Sequence, residues 1–506
     1  MKNPTYTKPS PGDEFRPARD QFEAAIAWLD SEDACKLTHS ALEDRLEEEG
    51  REMMRKLFQA HLDLRAVREE RLPGVMGRDG QIRTHVRESD RSLVTILGVV
   101  RVPRLQYGQR DVSSFFPGDM ALNLPDEAYS HGLRRMAAIE AAKVSYQETI
   151  ASIQAYTAGK VPPRQVQELV FRAAVDFDDF YSDRAAVSPE DTTDPLILSL
   201  DGKGIVMRTE HLLEATRKKA EASQPKLDHR VSSGEKKNRK RMATVAAVYS
   251  IQPFVRTAEE VMRELRPARD EAPPRRPRAR NKRVFASVEK SAKAVTRDLF
   301  DEAERRDPEH KRPWICLVDG DKHQITRVRK EAQRRGVEVV LVLDLIHALE
   351  YLWKAAWCFF EKGARAAEKW VTERAIRILE GRSSDVAAGI RRSATKRGLK
   401  ANNRKGADSC ADYLLKKKKL LRYDLYLAAG SPIATGVIEG ACRHLINDRF
   451  DITGARWSVP GAEAVLRLRS LRSSGDFEEY WEFHLRREWE RNHRSRYTER
   501  VQCEAA

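Results

Sequence analysis

Three carboxylates carry the chemistry this sequence suggests. Asp201 follows the apolar run LILSL (residues 196–200) and precedes Gly202, Lys203 and Gly204. Asp319 follows WICLV (residues 314–318) and precedes Gly320 and Asp321. Glu439 lies in TGVIEGACRH (residues 435–444), which reads as the start of a helix. Phosphodiester cleavage needs a deprotonated water or hydroxyl in line with the leaving oxygen, and two Mg²⁺ ions about 4 Å apart stabilise both oxygens. Mg²⁺ takes hard oxygen ligands, usually a few carboxylates plus substrate phosphate. Two strand-end aspartates and a helical glutamate amid basic residues therefore point to metal-dependent cutting and joining of DNA, if the fold unites these distant positions.

Each of these residues has a plainer reading. Asp-Gly is a good turn dipeptide, so Asp201 and Asp319 could simply end their strands. Asp321 competes with Asp319, although Asp319 directly ends the apolar run. Arg443 stands four residues after Glu439, the spacing of a helical ion pair. Asp344 and His347, at i and i+3, could share one helix face near the site, although a lone histidine is more often structural. Two acids at the ends of strands in one sheet favour a site over two unrelated turns.

The elements that must position these acids follow from the pattern. Residues 196–200, opened by Pro195, read as a buried strand. A second strand is predicted over residues 242–251 and a weaker third over 283–287. A helix over 288–306 leads to the strand 314–318, and a helix over 323–335 to the strand 338–343. A long helix begins near Leu345. Three strands able to pair antiparallel, then two strand–helix units, is the order of a ribonuclease-H-like α/β core, in which the ends of strands one and four meet. Residues 190–347 and 431–472 form that core in this reading, with residues 348–430 a helical, basic insertion.

Before the core, residues 1–18 are Pro-rich and predicted disordered. Residues 19–125 read as helices plus a small antiparallel hairpin turning at Gly98. Residues 126–185 are helical. There Ser145 and Glu148 form a capping box, and a Gly-containing break precedes Pro162 and Pro163. Helix, short turn, helix is the geometry of a helix-turn-helix, with Lys160 and Arg164 near the start of the second helix. Plain packing explains such a pair equally well. Residues 473–506 read as a C-terminal surface helix.

With 506 residues and a formal charge of +15, the chain can bury several cores and favours a polyanionic partner. The run KKNRKR (residues 236–241) places Lys236, Lys237, Arg239, Lys240 and Arg241 beside the second strand, suited to phosphate contact. Arg443 and Arg449 are placed to meet a DNA backbone near Glu439. The six cysteines lack C-x-x-C pairing, which argues against a zinc site or a disulfide framework. No run approaches a membrane span or a signal peptide, so a cytoplasmic, nucleoid-associated protein is expected.

The stretches LSLDGKGIVMR, CLVDGD, LDLIHALEYLWKAAW and PIATGVIEGACRHLINDRFDITGARWSVPGAEAVLRLRSL resemble bacterial insertion-sequence transposases of the DDE class, the ISKra-type group in particular. DMALNLPDEAYSHGLRRMAAIEAAKVSYQETI and DFDDFY carry the likeness into the N-terminal half. The resemblance implies a ribonuclease-H-like core with Asp201, Asp319 and Glu439 as the metal-binding triad. It implies Mg²⁺, with Mn²⁺ as a substitute, strand cleavage at element ends, and strand transfer by the freed 3′-hydroxyl. The implied partners are the terminal inverted repeats and target DNA, bound by a homo-oligomer. Asp344 and His347 resemble the D-x-x-H motif of mutator-like relatives. A nuclease that cuts without joining, or a non-catalytic DNA-binding regulator, are the competing readings.

Overall fold

The computed structural model describes residues 13–184, 189–222, 239–265, 276–452 and 454–498. The chain divides into two compact units, one comprising residues 1–180 and 477–506, the other residues 181–476. Among the described residues no helix is long and apolar enough to cross a membrane.

The first unit opens with helices α1 (Arg16–Leu29) and α2 (His39–Arg68). A three-stranded antiparallel sheet follows, β1 (His85–Thr95), β2 (Gly98–Gln109) and β3 (Val112–Phe115). The β1–β2 turn is tight because Thr95 pairs with Gly98, whose φ of +117° suits glycine. Helices α3 (His131–Ala141), α4 (Tyr146–Tyr156) and α5 (Pro163–Ala173) then pack around Leu133, Ile153, Val166 and Leu169. The capping box at Ser145 is formed: Glu148 N–H donates to the Ser145 hydroxyl, and the Glu148 carboxylate accepts from Ser145 N–H. The helix Phe477–Trp489 belongs to this unit, and its Glu488 pairs with the fully buried Arg134 of α3.

The second unit is built on a mixed five-stranded sheet. Its strands are β4 (Leu196–Val206), β5 (Lys240–Ser250), β6 (Arg280–Ser287), β7 (Trp314–Val318) and β8 (Val339–Leu343), in the spatial order β8-β7-β4-β5-β6. β4, β5 and β6 run antiparallel, whereas β7 and β8 run parallel to β4. β4 and β7 are apolar runs because both faces of the sheet centre are covered. The parallel crossovers are α6 (Ala292–Arg306), capped by Ser291, and α7 (Lys322–Arg335), capped by Asp321 and ended by left-handed Gly336.

Helices α8 (Leu345–Ala356), α9 (Arg365–Leu379), α10 (Ser383–Lys396) and α11 (Ala401–Lys417) follow the sheet. The chain then returns through α12 (Gly436–Ala441) to α13 (Val459–Ser474). Both sheet edges are covered. Tyr423 and Tyr426 donate to the β8 carbonyls of Leu343 and Leu341 at 2.8 and 3.2 Å. Ser474 of α13 exchanges hydrogen bonds with Val284 of β6. Such covers stop an edge from pairing with another chain.

One local expectation is corrected. Gly202, Lys203 and Gly204 do not form a turn, because β4 runs on through them to Val206, paired along its whole length with β5. A long partner strand outweighs the turn tendency of Asp-Gly. The glycines serve close approach instead: a Cβ on Gly204 would meet the Lys240 side chain at 2.7 Å.

A carboxylate cleft as candidate functional site

β4 and β7 are paired in parallel from Leu196↔Trp314 to Ser199↔Leu317. Asp201 and Asp319 each stand two residues beyond that last rung. Side chains two residues apart on a strand share a face, and neighbouring strands lie about 4.8 Å apart. Asp201 thus lies on β4, and Asp319 lies just past the end of the neighbouring strand β7. The ladder parts here, and the buried Gln324 amide fills the opening. Its Nε2 donates to the Leu200 carbonyl at 2.6 Å, and its Oε1 accepts from Asp319 N–H at 3.3 Å.

Asp201 is half-buried, its Oδ1 accepting from Gly202 N–H at 2.6 Å. Its Oδ2 accepts from the Cys442 thiol at 3.1 Å. That contact brings the third acid's segment to β4, because Cys442 stands one helical turn after Glu439. Burial, and then the charges of Asp201 and Glu439, push the Cys442 thiol well above the usual range. Glu439 itself is exposed and makes no ion pair among the described residues. The helical pair with Arg443 does not form: the chain widens into a π-helix over Cys442–Asn447, and Arg443 turns to Asp448 at 3.6 Å. A π turn brings residues five apart onto one face and is frequent at functional sites.

Asp319 sits in a turn whose polar groups are nearly all engaged. Its Oδ1 accepts from Asp321 N–H at 2.8 Å, while Asp321 uses its own carboxylate to cap α7 through Gln324 N–H at 2.7 Å. Asp321 thus has a structural task. Gly320 has φ +98°, and a Cβ there would lie 3.1 Å from both Leu343 and the Tyr413 hydroxyl. Lys417 Nζ donates to the Gly320 carbonyl at 2.6 Å, and the Tyr413 hydroxyl lies 3.4 Å from the Asp319 carbonyl. Tyr413 is stacked on Tyr351, centroids 3.9 Å apart. Burial pulls Lys417 below the usual lysine range, although Asp321 and Asp319 act to raise it.

Asp344 and His347 are not brought together as a pair. Asp344 is fully buried at the N-cap of α8, its Oδ1 accepting from Ile346 N–H at 3.0 Å and its Oδ2 from the Thr435 hydroxyl. It holds the segment that leads into Glu439. His347 is 40% exposed and faces Glu350 at 3.7 Å. Arg449 is buried with its guanidinium over the Trp457 ring, so its side chain is not at the surface. Arg443 is exposed. Arg239 donates to Thr209, Arg241 to the Val288 carbonyl, and Lys240 is exposed; Lys236 and Lys237 lie outside the described residues. Lys160 and Arg164 are exposed, Arg164 facing Glu168 at 3.3 Å.

Gln324, Cys442, Thr435, Tyr413 and Lys417 escape a reading of the sequence. Only Gln324 had a signal, since Asp321 and Gln324 have the spacing of a capping box. Among the described residues no three His, Cys, Asp or Glu side chains are gathered into a ready metal cage. The carboxylates of Asp201, Asp319 and Glu439 are hard oxygen donors of the kind Mg²⁺ takes, and Mg²⁺ is commonly held by one or two carboxylates with substrate phosphate completing its shell. No family model matches the chain, and no curated protein matches it.

Proposed function

We propose that this chain is a DDE-type DNA transposase with a ribonuclease-H-like core, cutting DNA at insertion-sequence ends and joining the freed ends to target DNA. The observation that carries the reading is the placement of Asp201 and Asp319, each two residues past the last shared rung of the adjacent parallel strands β4 and β7, with the segment of Glu439 brought to Asp201 by Cys442. The sheet order β8-β7-β4-β5-β6, three antiparallel strands then two parallel ones, supports the core assignment.

Asp201 and Asp319 would hold divalent cations on one side of the cleft and Glu439 on the other. Bound Mg²⁺ supplies charge stabilisation for the attacking and leaving oxygens of a phosphoryl transfer. The chain's own residues do the positioning. Gln324 sets the opening between the strands, Thr435 and Asp344 orient the segment ahead of Glu439, and exposed Arg443 can meet a phosphate of the DNA backbone. The formal charge of +15 supports a polyanionic substrate.

Incubation with Mg²⁺ and a duplex bearing the DNA that flanks the coding region tests the proposal. The expected products are strands cut at the element boundary with 3′-hydroxyl ends, and their covalent joints to a second duplex. Cutting without joints would reduce the protein to a nuclease. Binding without cutting, in Mg²⁺ and in Mn²⁺, would refute the enzymatic reading.

A further inference from the structure

The helices between β8 and α12 read in sequence as an insertion beside the catalytic core. Their last long member, α11, reaches into the turn that carries Asp319. Lys417 donates to the carbonyl of Gly320 at 2.6 Å, and Tyr413, one helical turn earlier, sets its hydroxyl 3.4 Å from the carbonyl of Asp319. On the other side, Gln324 of α7 accepts from Asp319 N–H. Three side chains from two helices thus hold two successive residues of one turn. Tyr413 is itself fixed by its stack on Tyr351 of α8. A side chain at position 320 would crowd these partners, since a Cβ there would lie 3.1 Å from the Tyr413 hydroxyl and φ is +98°.

Lys417 is the inward member of a run of four lysines. Lys416, Lys418 and Lys419 are exposed, while Lys417 is half-buried and spends its charge on a backbone carbonyl. A solvated basic run needs no such bond. A carboxylate that must meet a cation with oxygens in fixed places does gain from having its backbone held on both sides.

We infer that Lys417 and Tyr413 are positioning residues for Asp319: the helical insertion holds the Asp319–Gly320–Asp321 turn and thereby sets the divalent-cation affinity of the carboxylate pair. The affinity clause rests on the metal-binding reading of Asp201 and Asp319. The positioning itself does not.

Two measurements on the full chain separate them. Hydrogen exchange without metal, followed in peptides covering residues 317–322, reads the turn directly. Lys417→Met keeps the aliphatic stem and removes the donor, and Tyr413→Phe removes one hydroxyl and keeps the stack. Both should speed exchange there by about tenfold, with Lys417→Arg, which retains a donor, close to wild type. Titration with Mn²⁺ alone, read by electron paramagnetic resonance, should show ~10-fold weaker binding in Lys417→Met, in line with the 10–100-fold cost typical of removing an outer-shell partner. The melting temperature should stay within about 2 °C, as for a half-exposed substitution without a cavity. Tyr413→Phe keeps the test valid should Lys417→Met fail to fold. Unchanged exchange in both variants would overturn the inference. Faster exchange in a protein whose wild type takes up no Mn²⁺ would leave the positioning standing and remove the metal reading. Mn²⁺ uptake lost in Asp201→Asn but indifferent to Lys417 and Tyr413 would keep the metal reading and overturn the affinity clause.

Discussion

Two groups of acids within the second unit are treated in opposite ways. Below the sheet, the buried Glu302 of α6 is surrounded by arginines: Arg283 at 2.5 Å, Arg305 at 2.6 Å and Arg306 at 2.6 Å. Although burial opposes ionisation, these three hold its carboxyl down at about 2. At the parting of β4 and β7, Asp201, Asp319 and Glu439 form no ion pair among the described residues. The chain carries 92 Lys and Arg against 77 Asp and Glu, so cations for the cleft were not scarce. Lys417, at the Asp319 turn, donates to a backbone carbonyl instead. Glu302 supports the fold and is neutralised where it is buried. Acids that make no ion pair in a basic protein leave their charge open to a cation from outside, which favours the proposed site.

Substitutions should separate the two groups, and the largest effect belongs to the cleft. Asp319→Asn keeps shape and removes charge; losing several kcal/mol of transition-state stabilisation slows DNA cleavage by about a thousandfold. Thermal melting should be unchanged or slightly raised, since a like-charge neighbour is relieved. Equal cleavage rates for Asp319→Asn and wild type would erase the distinction. The mirror experiment is Glu302→Gln, which leaves buried arginines under-compensated and should cost about 3–5 kcal/mol of stability in denaturant unfolding. A loss of activity in that variant with full stability would place Glu302 in the chemistry and contradict the comparison.

Acid titration gives the next effect. The Glu302 carboxyl lies lower in the folded than in the unfolded chain, so its contribution is complete above an unfolded value near 4.5 and is lost as pH falls toward about 2. Unfolding midpoints in denaturant should therefore drop between about pH 4.5 and 2 in wild type, and drop less in Glu302→Gln. An identical pH dependence in the two proteins would remove Glu302 from that role. Gly320→Ala is smaller still. A left-handed φ and the close Tyr413 hydroxyl should cost about 1–3 kcal/mol, read as a lower melting temperature together with weaker Mn²⁺ binding. The smallest effect is Arg443→Ala: an exposed pair with Asp448 contributes under about 1 kcal/mol, so stability barely moves. Its DNA binding should lose salt dependence by roughly 0.9 log unit if it meets one phosphate.

The sequence made the sheet legible because its strands carry apolar runs, and their order leaves few topologies open. It put Asp201 and Asp319 at neighbouring strands for the same reason, Asp201 within β4 and Asp319 just past the end of β7. Asp201 was nonetheless expected at a strand end, and the strand runs past it, since pairing with β5 is a matter of tertiary register that no local turn signal contains. Asp344 read as a partner of His347, although an Asp just before a helix is also an N-cap, and that local bond with its link to Thr435 determines its place. Arg449 read as a surface cation because arginine usually is one; its burial over Trp457 depends on a residue in a different part of the chain. Lys417 could not be singled out among four consecutive lysines, because only the docking of α11 on the Asp319 turn distinguishes it.

The central claim is that the uncompensated carboxylates of the cleft hold the cation that DNA cleavage requires. Glu439→Gln tests it most directly, since it removes a charge from an exposed residue with no ion pair to lose among the described residues. Cleavage and joining of a duplex carrying the flanking DNA should both fall about a thousandfold at saturating Mg²⁺, the equivalent of several kcal/mol, while DNA binding and melting temperature stay at wild-type values. A Glu439→Gln protein that still cuts that duplex at close to the wild-type rate would contradict the claim.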